Sequence, residues 1–206
     1  MWAVVPLKSP ERAKMRLAGV LSAAQRRELL FELAQRVIRA LQATRGIEHT
    51  AIVTACTEVA AFARRLGVQS ILQDTETGTA AAFAAAVDAL QPRQLRGLLM
   101  LAGDLPLVSA AALERVIAAA GSSPGAVIVP DRHGAGTNAL LCTPPQALAP
   151  CFGADSFRRH CAAAAASGLR LRVLDIPELA LDLDDADDLA VLQRAQAELQ
   201  PCLAAG

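Results

Sequence analysis

Apolar and polar positions follow two different periods along the chain, and the alternation between them predicts an α/β fold. Short apolar runs bounded by turn residues indicate strands, whereas apolar residues at every third or fourth position, or long Ala runs, indicate helices. The predicted strands span residues 3–5, 49–55, 70–72, 97–104, 125–130, 138–142 and 171–176. The predicted helices span residues 22–44, 58–67, 79–90, 110–121, 155–168 and 185–200.

The order of these elements indicates a mostly parallel central sheet flanked by helices, because strands and helices alternate along the chain. Ser22 and Gln25 have the spacing of a capping box at the start of the first long helix. Neither repeats nor low-complexity linkers interrupt the pattern, so we expect one domain over residues 1–206. Ligands of such sheets bind at the carboxyl ends of the strands, and the side chains that follow each strand are therefore the candidate functional residues.

The composition narrows the classes of function. The chain has 206 residues, of which 53% are hydrophobic and 3% aromatic, and its Lys and Arg balance its Asp and Glu. A neutral chain with few aromatic rings lacks the basic face and the stacking side chains that are typical of nucleic-acid binders. Its apolar runs are interrupted by Arg, Asp, Gln or Pro well short of the length of a membrane span. We therefore expect no nucleic-acid partner and no membrane partner.

The cysteines and the N-terminus favour a cytoplasmic protein. No two of the cysteines form a CxxC pair, so neither a zinc knuckle nor a redox pair is indicated. Scattered thiols are typical of a reducing compartment. The first residues also lack the charged and apolar regions of a secretory signal.

A basic loop follows the first predicted strand. The stretch "PLKSPERAKMRL" contains Lys8, Arg12, Lys14 and Arg16. Phosphate groups often bind at this position in α/β folds, and Lys and Arg hold them by charge-assisted hydrogen bonds. The stretch does not match the Walker phosphate loop. It is therefore either a phosphate-binding segment or a solvated surface loop.

Acidic residues follow two further predicted strands. "MLAGDLPLV" places Asp104 at the end of a strand, where we expect Gly103 to leave room for a ligand. In "LDLDDADDL", Asp182 and Asp184 face one side if the segment is extended. Carboxylates at such positions can hold Mg²⁺ against phosphate oxygens. The alternatives are a turn acid at Asp104 and a helix cap at Asp185.

Two glycine-containing stretches offer groups that can bind an anion. In "PDRHGAGTNALL", Thr137 and Asn138 supply hydrogen-bond donors after a tight loop. In "FGADSFRRH", Gly153 and Ser156 lie at a predicted helix start, where free N–H groups suit phosphate or carboxylate. His160 falls inside that helix, and we interpret it as a packed or capping histidine rather than a catalyst.

Together these stretches resemble the guanylyltransferases of coenzyme F-420 biosynthesis. The similarity rests on "VPLKSPERAKMRL", "GDLPLV", "PDRHGAGTNALL", "FGADSFRRH" and "LDLDDADDL", which span nearly the whole chain in the family's order. That family is similar in fold to the molybdopterin-guanylyltransferase-like nucleotidyltransferases, so the resemblance implies a single Rossmann-like, GT-A-like nucleotidyltransferase domain over residues 1–206. It also implies transfer of GMP from GTP to 2-phospho-L-lactate, phosphoenolpyruvate or 3-phospho-D-glycerate, with release of pyrophosphate.

The resemblance further implies roles for individual residues. The implied ligands of a Mg²⁺ cofactor are Asp104, Asp182 and Asp184. The implied contacts of the acceptor acid are Thr137, Gly153 and Ser156, with Asn138 beside them. The implied contacts of the triphosphate are Lys8, Arg12, Lys14 and Arg16, and Lys8 and Lys14 would act with Asp104 in catalysis.

One stretch departs from the family pattern near the expected nucleobase site. The family usually has Gly-Leu-Asn there, whereas this chain reads "TETGTAAAFAAA" over residues 75–86. Gly78 is retained as a substrate contact, but an Ala replaces the Asn. The resemblance therefore predicts phosphate and metal chemistry more firmly than guanine preference.

The sequence leaves other functions open. The first is a nucleotidyltransferase with molybdopterin or a sugar phosphate as acceptor, although such relatives usually carry a Gly-rich loop in place of the basic one. A metal-dependent glycosyltransferase and a non-catalytic GTP-binding module are the others. A homodimer and direct handover of a labile product to the next enzyme of the pathway are further expectations.

Overall fold

The computed structural model describes residues 1–75, 78–121 and 123–203, with the backbone alone at Pro92 and over 195–203. The strands in these ranges are β1 Trp2–Pro6, β2 His49–Thr54, β3 Gln69–Leu72, β4 Leu98–Leu101, β5 Gly125–Pro130, β6 Thr137–Thr143 and β7 Leu171–Val173. The α-helices are α1 Ala23–Ala43, α2 Thr57–Arg65, α3 Thr79–Leu90, α4 Ala110–Ala118, α5 Ser156–Ala166, α6 Pro177–Ala180 and α7 Ala186–Leu203. Short 3-10 turns lie at Met15–Leu17 and Gln91–Arg93.

The strands form one sheet in the order β3-β2-β1-β4-β6-β5-β7. The paired strands are parallel except that β6 runs antiparallel to both β4 and β5. This arrangement confirms the predicted mostly parallel sheet. Because β6 is reversed, its first residues lie beside the carboxyl end of β4, where Leu101 pairs with Ala139. The Thr137 end of β6 is thereby brought to the edge of the sheet that binds ligands in α/β folds.

The two faces of the sheet bury separate apolar cores. In β1, Ala3 and Val5 pack into the core beneath α1, α2 and α4, whereas Trp2 and Val4 pack into the core beneath α3 and α5. Successive strand residues point to opposite faces, so a strand covered on both faces is apolar at every position. This is why the β1 segment is a continuous apolar run rather than an alternating one.

Local sequence signals account for the start of α1 and for its buried face. Ser22 accepts a hydrogen bond from the Gln25 N–H, and the Gln25 side chain accepts one from the Ser22 N–H, as the capping-box spacing predicts. Leu30, Val37 and Leu41 lie on the buried face. The 3.6-residue period therefore predicted both the helix and the side that faces the sheet.

Two expectations from the sequence are corrected at element ends. Strand β4 ends at Leu101 rather than at residue 104, so Gly103 lies in the following loop. A Cβ at Gly103 would overlap the Cδ2 atom of Leu7 and lie 3.2 Å from Cγ1 of Val5. Gly103 also lines the cleft at the carboxyl edge of the sheet, so the close approach of a ligand there stays a prediction, and packing against Leu7 and Val5 is a further reason for a glycine at this position.

The second correction concerns the segment after β7. The strand ends at Val173, not at residue 176, and the short helix α6 was not predicted. Pro177 occupies the first turn of α6, where its missing N–H costs nothing and its fixed φ suits a helix. None of the described helices combines the length and the apolar character needed to cross a bilayer.

Candidate active site

A cleft of about 760 Å³ lies at the carboxyl edge of the sheet. All the predicted site residues line it except Gly78, which lines an adjoining pocket of about 360 Å³. Lys8 and Arg12 line both cavities, so the two are neighbours along the basic loop. The structure thus brings together stretches that are up to 176 positions apart, from Lys8 to Asp184, in one continuous concave region.

The two acidic stretches are joined by a backbone hydrogen bond. The N–H of Leu183 donates to the carbonyl of Asp104 at 3.2 Å. Leu183 is itself buried, so its alternating neighbours Asp182 and Asp184 are carried into the cleft beside Asp104. The three carboxylates are therefore held close by main-chain geometry and not only by side-chain contacts.

Lys14 inserts its ammonium between two of these carboxylates. Its Nζ donates to Oδ2 of Asp104 and lies 3.2 Å from Oδ1 of Asp184. The Lys14 side chain is only 5% exposed, whereas Arg16 is 75% exposed and lies 3.7 Å from Asp184. Burial lowers the pKa of Lys14, but the charges of Asp104 and Asp184 outweigh it and the pKa is raised. Lys14 is therefore a charged, buried counter-ion of the acidic cluster, which consists of Asp104, Asp182 and Asp184.

The backbone at Lys14 is also in a special conformation. Its φ of 54° lies in the left-handed region, which residues other than glycine rarely adopt. The residue stands just before the 3-10 turn Met15–Leu17, whose Leu17 is buried. Such conformations persist where surrounding contacts over-determine them, and they cluster at functional sites. The two carboxylate contacts supply that constraint here.

Asp182 is the most strongly perturbed acid of the cluster. Burial and the charge of Asp104 raise its pKa to about 6, Asp184 adds to the rise, and a bond from Asn138 opposes it. Nδ2 of Asn138 donates to the carbonyls of Leu179 and Ala180 at 3.0 and 3.1 Å, and lies 3.3 Å from Oδ1 of Asp182. Asn138 therefore orders the acidic segment from within, and its predicted contact with substrate stays a prediction.

The acidic cluster has the negative charge that attracts a hard cation, but its side chains are not arranged around a metal position. Within the described ranges, no group of three or more His, Cys, Asp and Glu side chains has a metal-binding arrangement. Lys14 lies between Asp104 and Asp184 instead. Carboxylate oxygens are nevertheless the ligands that Mg²⁺ prefers, and the pKa of Asp182 is raised first by burial and then by the charge of Asp104. The three carboxylates therefore supply the donor type that Mg²⁺ prefers, while Lys14 occupies the position between two of them in this structure.

Asp188 and Arg132, which were not assigned to the site from the sequence, support this segment together with Asp185. Asp188 is 5% exposed, and its Oδ2 accepts from the N–H groups of Asp184 and Asp185. Its Oδ1 accepts from Nε of Arg132 at 2.9 Å. Asp185 in turn accepts from the N–H groups of Asp187 and Asp188, which confirms it as the cap of α7. A capping-box spacing at Asp185 and Asp188 was the signal available.

The other wall of the cleft is a loop closed by Asp131. Its carboxylate accepts from the N–H groups of His133, Ala135 and Gly136 at 2.7–3.1 Å. A Cβ at Gly136 would lie 2.6 Å from Oδ2 of Asp131, so the glycine is needed for this closure. The Ala135 carbonyl then accepts from the N–H of Phe157 at the start of α5. The loop and the helix are thereby locked together.

At the start of α5, the N–H groups of Ser156 and Phe157 are already hydrogen-bonded within the protein. The N–H of Ser156 is bonded to the carbonyl of Gly153, and that of Phe157 is bonded as described. The side chain of Ser156 instead lies 3.2 Å from Oγ1 of Thr137, and both residues are buried at the cleft. The N–H groups of Ser156 and Phe157 are therefore not free for an anion, whereas the hydroxyls of Ser156 and Thr137 lie at the cleft.

A buried histidine, His160, lies behind Thr137 on the side away from the cleft. Nδ1 of His160 lies 3.1 Å from Oγ1 of Thr137, and Nε2 accepts from the N–H of Cys151 at 2.8 Å. His160 has no exposed surface, and its ring meets that of Phe152 edge-on at 4.8 Å. Burial lowers the pKa of His160 to about 4, with the Ser156 carbonyl opposing the shift and Arg159 adding to it. The interpretation of His160 as a packed residue is confirmed, but its bonds to the site were not anticipated.

Removing His160 is expected to change how stability depends on pH. A histidine titrates near 6.5 in the unfolded chain and at about 4 in the folded protein, so the unfolded chain binds more protons between these values. The free energy of unfolding therefore falls as the pH drops through this window, by up to about 1.4 kcal/mol per pH unit. Denaturant unfolding of the protein and of His160→Gln from pH 7 to pH 4 measures the difference.

The comparison between the two chains is necessary because Asp182 acts in the opposite sense. Its raised pKa makes the folded protein bind more protons between about pH 4 and 6, which masks part of the slope in either chain alone. Subtracting the variant's curve isolates His160. If the free energy of unfolding depends on pH in the same way in both proteins, His160 binds protons equally well in the folded and the unfolded chain.

Comparison with known proteins decides the family. The family model described as "Guanylyl transferase CofC like" matches residues 1–194. The chain belongs to this family. Among curated CofC-like relatives, a protein of Chloroflexus aggregans named phosphoenolpyruvate guanylyltransferase is 42% identical over 189 residues, covering 90% of this chain and 93% of the relative. Proteins of the same name from Rubrobacter xylanophilus and Conexibacter woesei are 39% and 36% identical, covering 93% and 86% of those relatives.

Solved structures confirm the fold of this CofC-like chain. A protein from Desulfovibrio desulfuricans G20, described as a nucleotide-diphospho-sugar transferase by assignment only, has a TM-score of 0.76 at 16% identity, covering 94% of this chain and 86% of that one. A nucleotidyl transferase from Methanothermobacter thermautotrophicus has a TM-score of 0.66 at 17% identity, covering 96% and 98%. The predicted Rossmann-like nucleotidyltransferase fold and the predicted guanylyltransferase activity in coenzyme F-420 biosynthesis are therefore confirmed, and the alternative functions are not favoured.

Proposed function

We propose that this chain transfers GMP from GTP to phosphoenolpyruvate in a Mg²⁺-dependent reaction that releases pyrophosphate. The observation that carries the proposal is the division of one cleft between a basic loop beside an acidic cluster and a wall of buried hydroxyls. The curated relatives described above, all named phosphoenolpyruvate guanylyltransferase, support this choice of acceptor.

GTP is assigned to the side of the cleft that adjoins the smaller pocket. Lys8 and Arg12 line both cavities and would neutralise the triphosphate there. Gly78 and Thr79 line the smaller pocket, which has room for part of a nucleoside. Glu76 and Thr77, in the stretch that departs from the family pattern, lie outside the described residues. Guanine preference therefore stays a prediction.

The acceptor acid is assigned to the opposite wall. The hydroxyls of Thr137 and Ser156 can donate to a carboxylate or a phosphate. Gly153 lines the cleft beside them, and its φ of 112° is a backbone conformation that favours glycine. Hydroxyl donors in a buried site bind an anion more strongly than in water, because the local dielectric constant is low. This wall would hold one end of the acid while its phosphate faces the nucleotide.

The reaction needs little proton transfer. A phosphate oxygen of the acceptor would form a bond to the α-phosphorus of GTP, while the bond from that phosphorus to the bridging oxygen of the leaving pyrophosphate breaks. A phosphate monoester has a second pKa of about 6, so it is already a dianion near neutral pH. Among the described residues that line the cleft, His133 in the loop closed by Asp131 is the one histidine. A dianionic acceptor does not need it as a general base.

The main barrier is the approach of two anions. Two unit charges ~4 Å apart repel by about 1 kcal/mol in water and by about 4 kcal/mol at an effective dielectric constant near 20. Lys8, Arg12 and Lys14 would offset this repulsion and hold the reacting groups in line. Asp104, Asp182 and Asp184 would hold Mg²⁺, which supplies further neutralisation of phosphate charge when bound.

Pyrophosphate release tests the proposal. The protein is incubated with GTP, Mg²⁺ and one of phosphoenolpyruvate, 2-phospho-L-lactate or 3-phospho-D-glycerate, with ATP and CTP replacing GTP as nucleotide controls and EDTA replacing Mg²⁺. We expect release with GTP and phosphoenolpyruvate, and at least tenfold less with the other acids or nucleotides. Faster release with another acid would overturn the acceptor assignment, and full activity in EDTA would overturn the metal assignment. Homodimerisation, handover of the product and a cytoplasmic location stay predictions.

A further inference from the structure

We propose that His160 is a positioning residue that sets the hydrogen-bond polarity of the Thr137 and Ser156 hydroxyls, so that one hydroxyl hydrogen is directed to the acceptor acid. The proposal rests on the assignment of the acceptor to this wall in the proposed function. His160 does not line the cleft, whereas Thr137 and Ser156 do. Its effect on substrate would therefore be transmitted through them.

The backbone fixes which nitrogen of the ring carries a proton. A main-chain N–H can only donate, and that of Cys151 lies 2.8 Å from Nε2 of His160. Nε2 must therefore offer a lone pair, and a neutral ring then carries its hydrogen on Nδ1. Oγ1 of Thr137 lies 3.1 Å from Nδ1 and can accept that hydrogen. All the contacts thus favour the same tautomer.

The tautomer decides what the two hydroxyls can do. Each hydroxyl has one hydrogen to donate and can accept up to two bonds. With the hydrogen on Nδ1, Oγ1 of Thr137 accepts from His160, and the 3.2 Å bond between Thr137 and Ser156 uses one of the two hydroxyl hydrogens. The other hydrogen is left for a group in the cleft.

The opposite tautomer would remove that donor. Nδ1 would then accept the hydrogen of Thr137, and the bond between the hydroxyls would have to use the hydrogen of Ser156. Only lone pairs would face the cleft, and lone pairs repel a carboxylate or a phosphate. The N–H of Cys151 excludes this state by its bond to Nε2. The N–H of Cys151 therefore leaves the Thr137 and Ser156 pair with a hydroxyl hydrogen that can be donated to an anion.

The surroundings of the ring keep this arrangement in place. His160 is fully buried on α5, and Thr137 and Ser156 are 9% and 2% exposed. The edge-on contact with Phe152 restricts the orientation of the ring. Because water has little access to the network, the hydroxyls are ordered before substrate arrives, and the acceptor does not have to supply that ordering energy.

The first test measures the tautomer directly in the unaltered protein. Nitrogen-15 NMR of histidine-labelled protein at pH 7 distinguishes a protonated from an unprotonated ring nitrogen. We expect His160 to be neutral, with Nδ1 protonated and Nε2 unprotonated, and His160→Gln identifies its signals by their loss. A protonated Nε2 would overturn the proposal whatever the variants do.

The second test compares two amide replacements. The side-chain nitrogen of His160→Asn can take the place of Nδ1 and donate to Thr137, whereas the amide of His160→Gln extends to the place of Nε2 and leaves Thr137 without that donor. Pyrophosphate release then gives KM for phosphoenolpyruvate and for GTP. We expect the Gln variant to raise the acceptor KM by about 10-fold, the Asn variant by no more than about 3-fold, and the GTP KM to change in neither.

Thr137→Val separates failure of this inference from failure of the proposed function. If the acceptor binds this wall, Thr137→Val raises its KM, and an unchanged value would show that the acceptor binds elsewhere. If Thr137→Val raises the acceptor KM while the Asn and Gln variants of His160 behave alike, the wall binds the acceptor and the positioning role of His160 is wrong. If the His160 variants raise the KM for GTP as much as the KM for the acceptor, His160 contributes only to packing and the proposal is wrong.

Discussion

Asp104→Asn is expected to lower kcat for guanylyl transfer by about 10³-fold while the protein stays folded. The substitution keeps the shape of the side chain but removes the charge that faces Asp182 and Lys14 in the cleft. Loss of one electrostatic group that stabilises a transition state typically costs about 10²–10³-fold, and loss of a metal ligand adds to this. Steady-state pyrophosphate release and thermal unfolding measure the two quantities.

Asp187→Asn is the matched control for this prediction. Asp187 is exposed at the first turn of α7, and its backbone N–H, rather than its carboxylate, is held by Asp185. The same chemical change there should leave kcat within about 2-fold. Full turnover of Asp104→Asn in a folded protein would remove Asp104 from both the metal site and the catalytic assignment.

Lys14→Met is expected to have opposite effects on turnover and on metal binding. The variant loses the cation that lies between Asp104 and Asp184, so we expect kcat/KM for GTP to fall by about 10²–10³-fold. The same loss leaves the carboxylates without their buried counter-ion and costs about 1–3 kcal/mol of stability without Mg²⁺. Because Lys14 no longer competes for these oxygens, Mg²⁺ should raise Tm more in the variant than in the unaltered protein.

Thermal unfolding with and without Mg²⁺, together with pyrophosphate release, separates these effects. Arg16→Met serves as the control, because Arg16 is 75% exposed and its contact with Asp184 is 3.7 Å long. Exposed ion pairs contribute about 0–1 kcal/mol, so we expect this variant to lose less than 10-fold in kcat/KM. An equal Mg²⁺ response in Lys14→Met and the unaltered protein would show that Lys14 and the metal do not share the acidic cluster.

Competition between Lys14 and a metal would give the basic loop a second role. In the structure, Lys14 neutralises the acidic cluster from a left-handed backbone conformation at the end of the loop. Binding of Mg²⁺ with a triphosphate would free the ammonium to contact phosphate oxygens, since the cation and the anion arrive together. Local charge balance therefore accounts for Lys14 and Arg16 of the loop, although the chain as a whole is neutral.

The sequence by itself determined the main helices and strands, apart from α6 and some strand ends, and the stretches that carry chemistry. Periodicity and the Ser22 capping box are local properties, so they predicted α1 and its buried face. The motifs were recognisable because each is a short contiguous run, and their order along the chain indicated the family. The basic loop and the acidic residues were assigned to one site on the same grounds.

Only the tertiary structure decided how these residues act on one another. Lys14 meets Asp104 across 90 positions, and Cys151 fixes a ring that orders Thr137, because the reversed strand β6 and helix α5 bring distant segments to one edge of the sheet. The packing around Gly103 was not predicted for the same reason, since its neighbours Val5 and Leu7 belong to β1 and the loop that follows it. Residue types and spacing specify what a side chain can do, whereas its partners, its burial and hence its protonation depend on contacts between segments far apart in the chain.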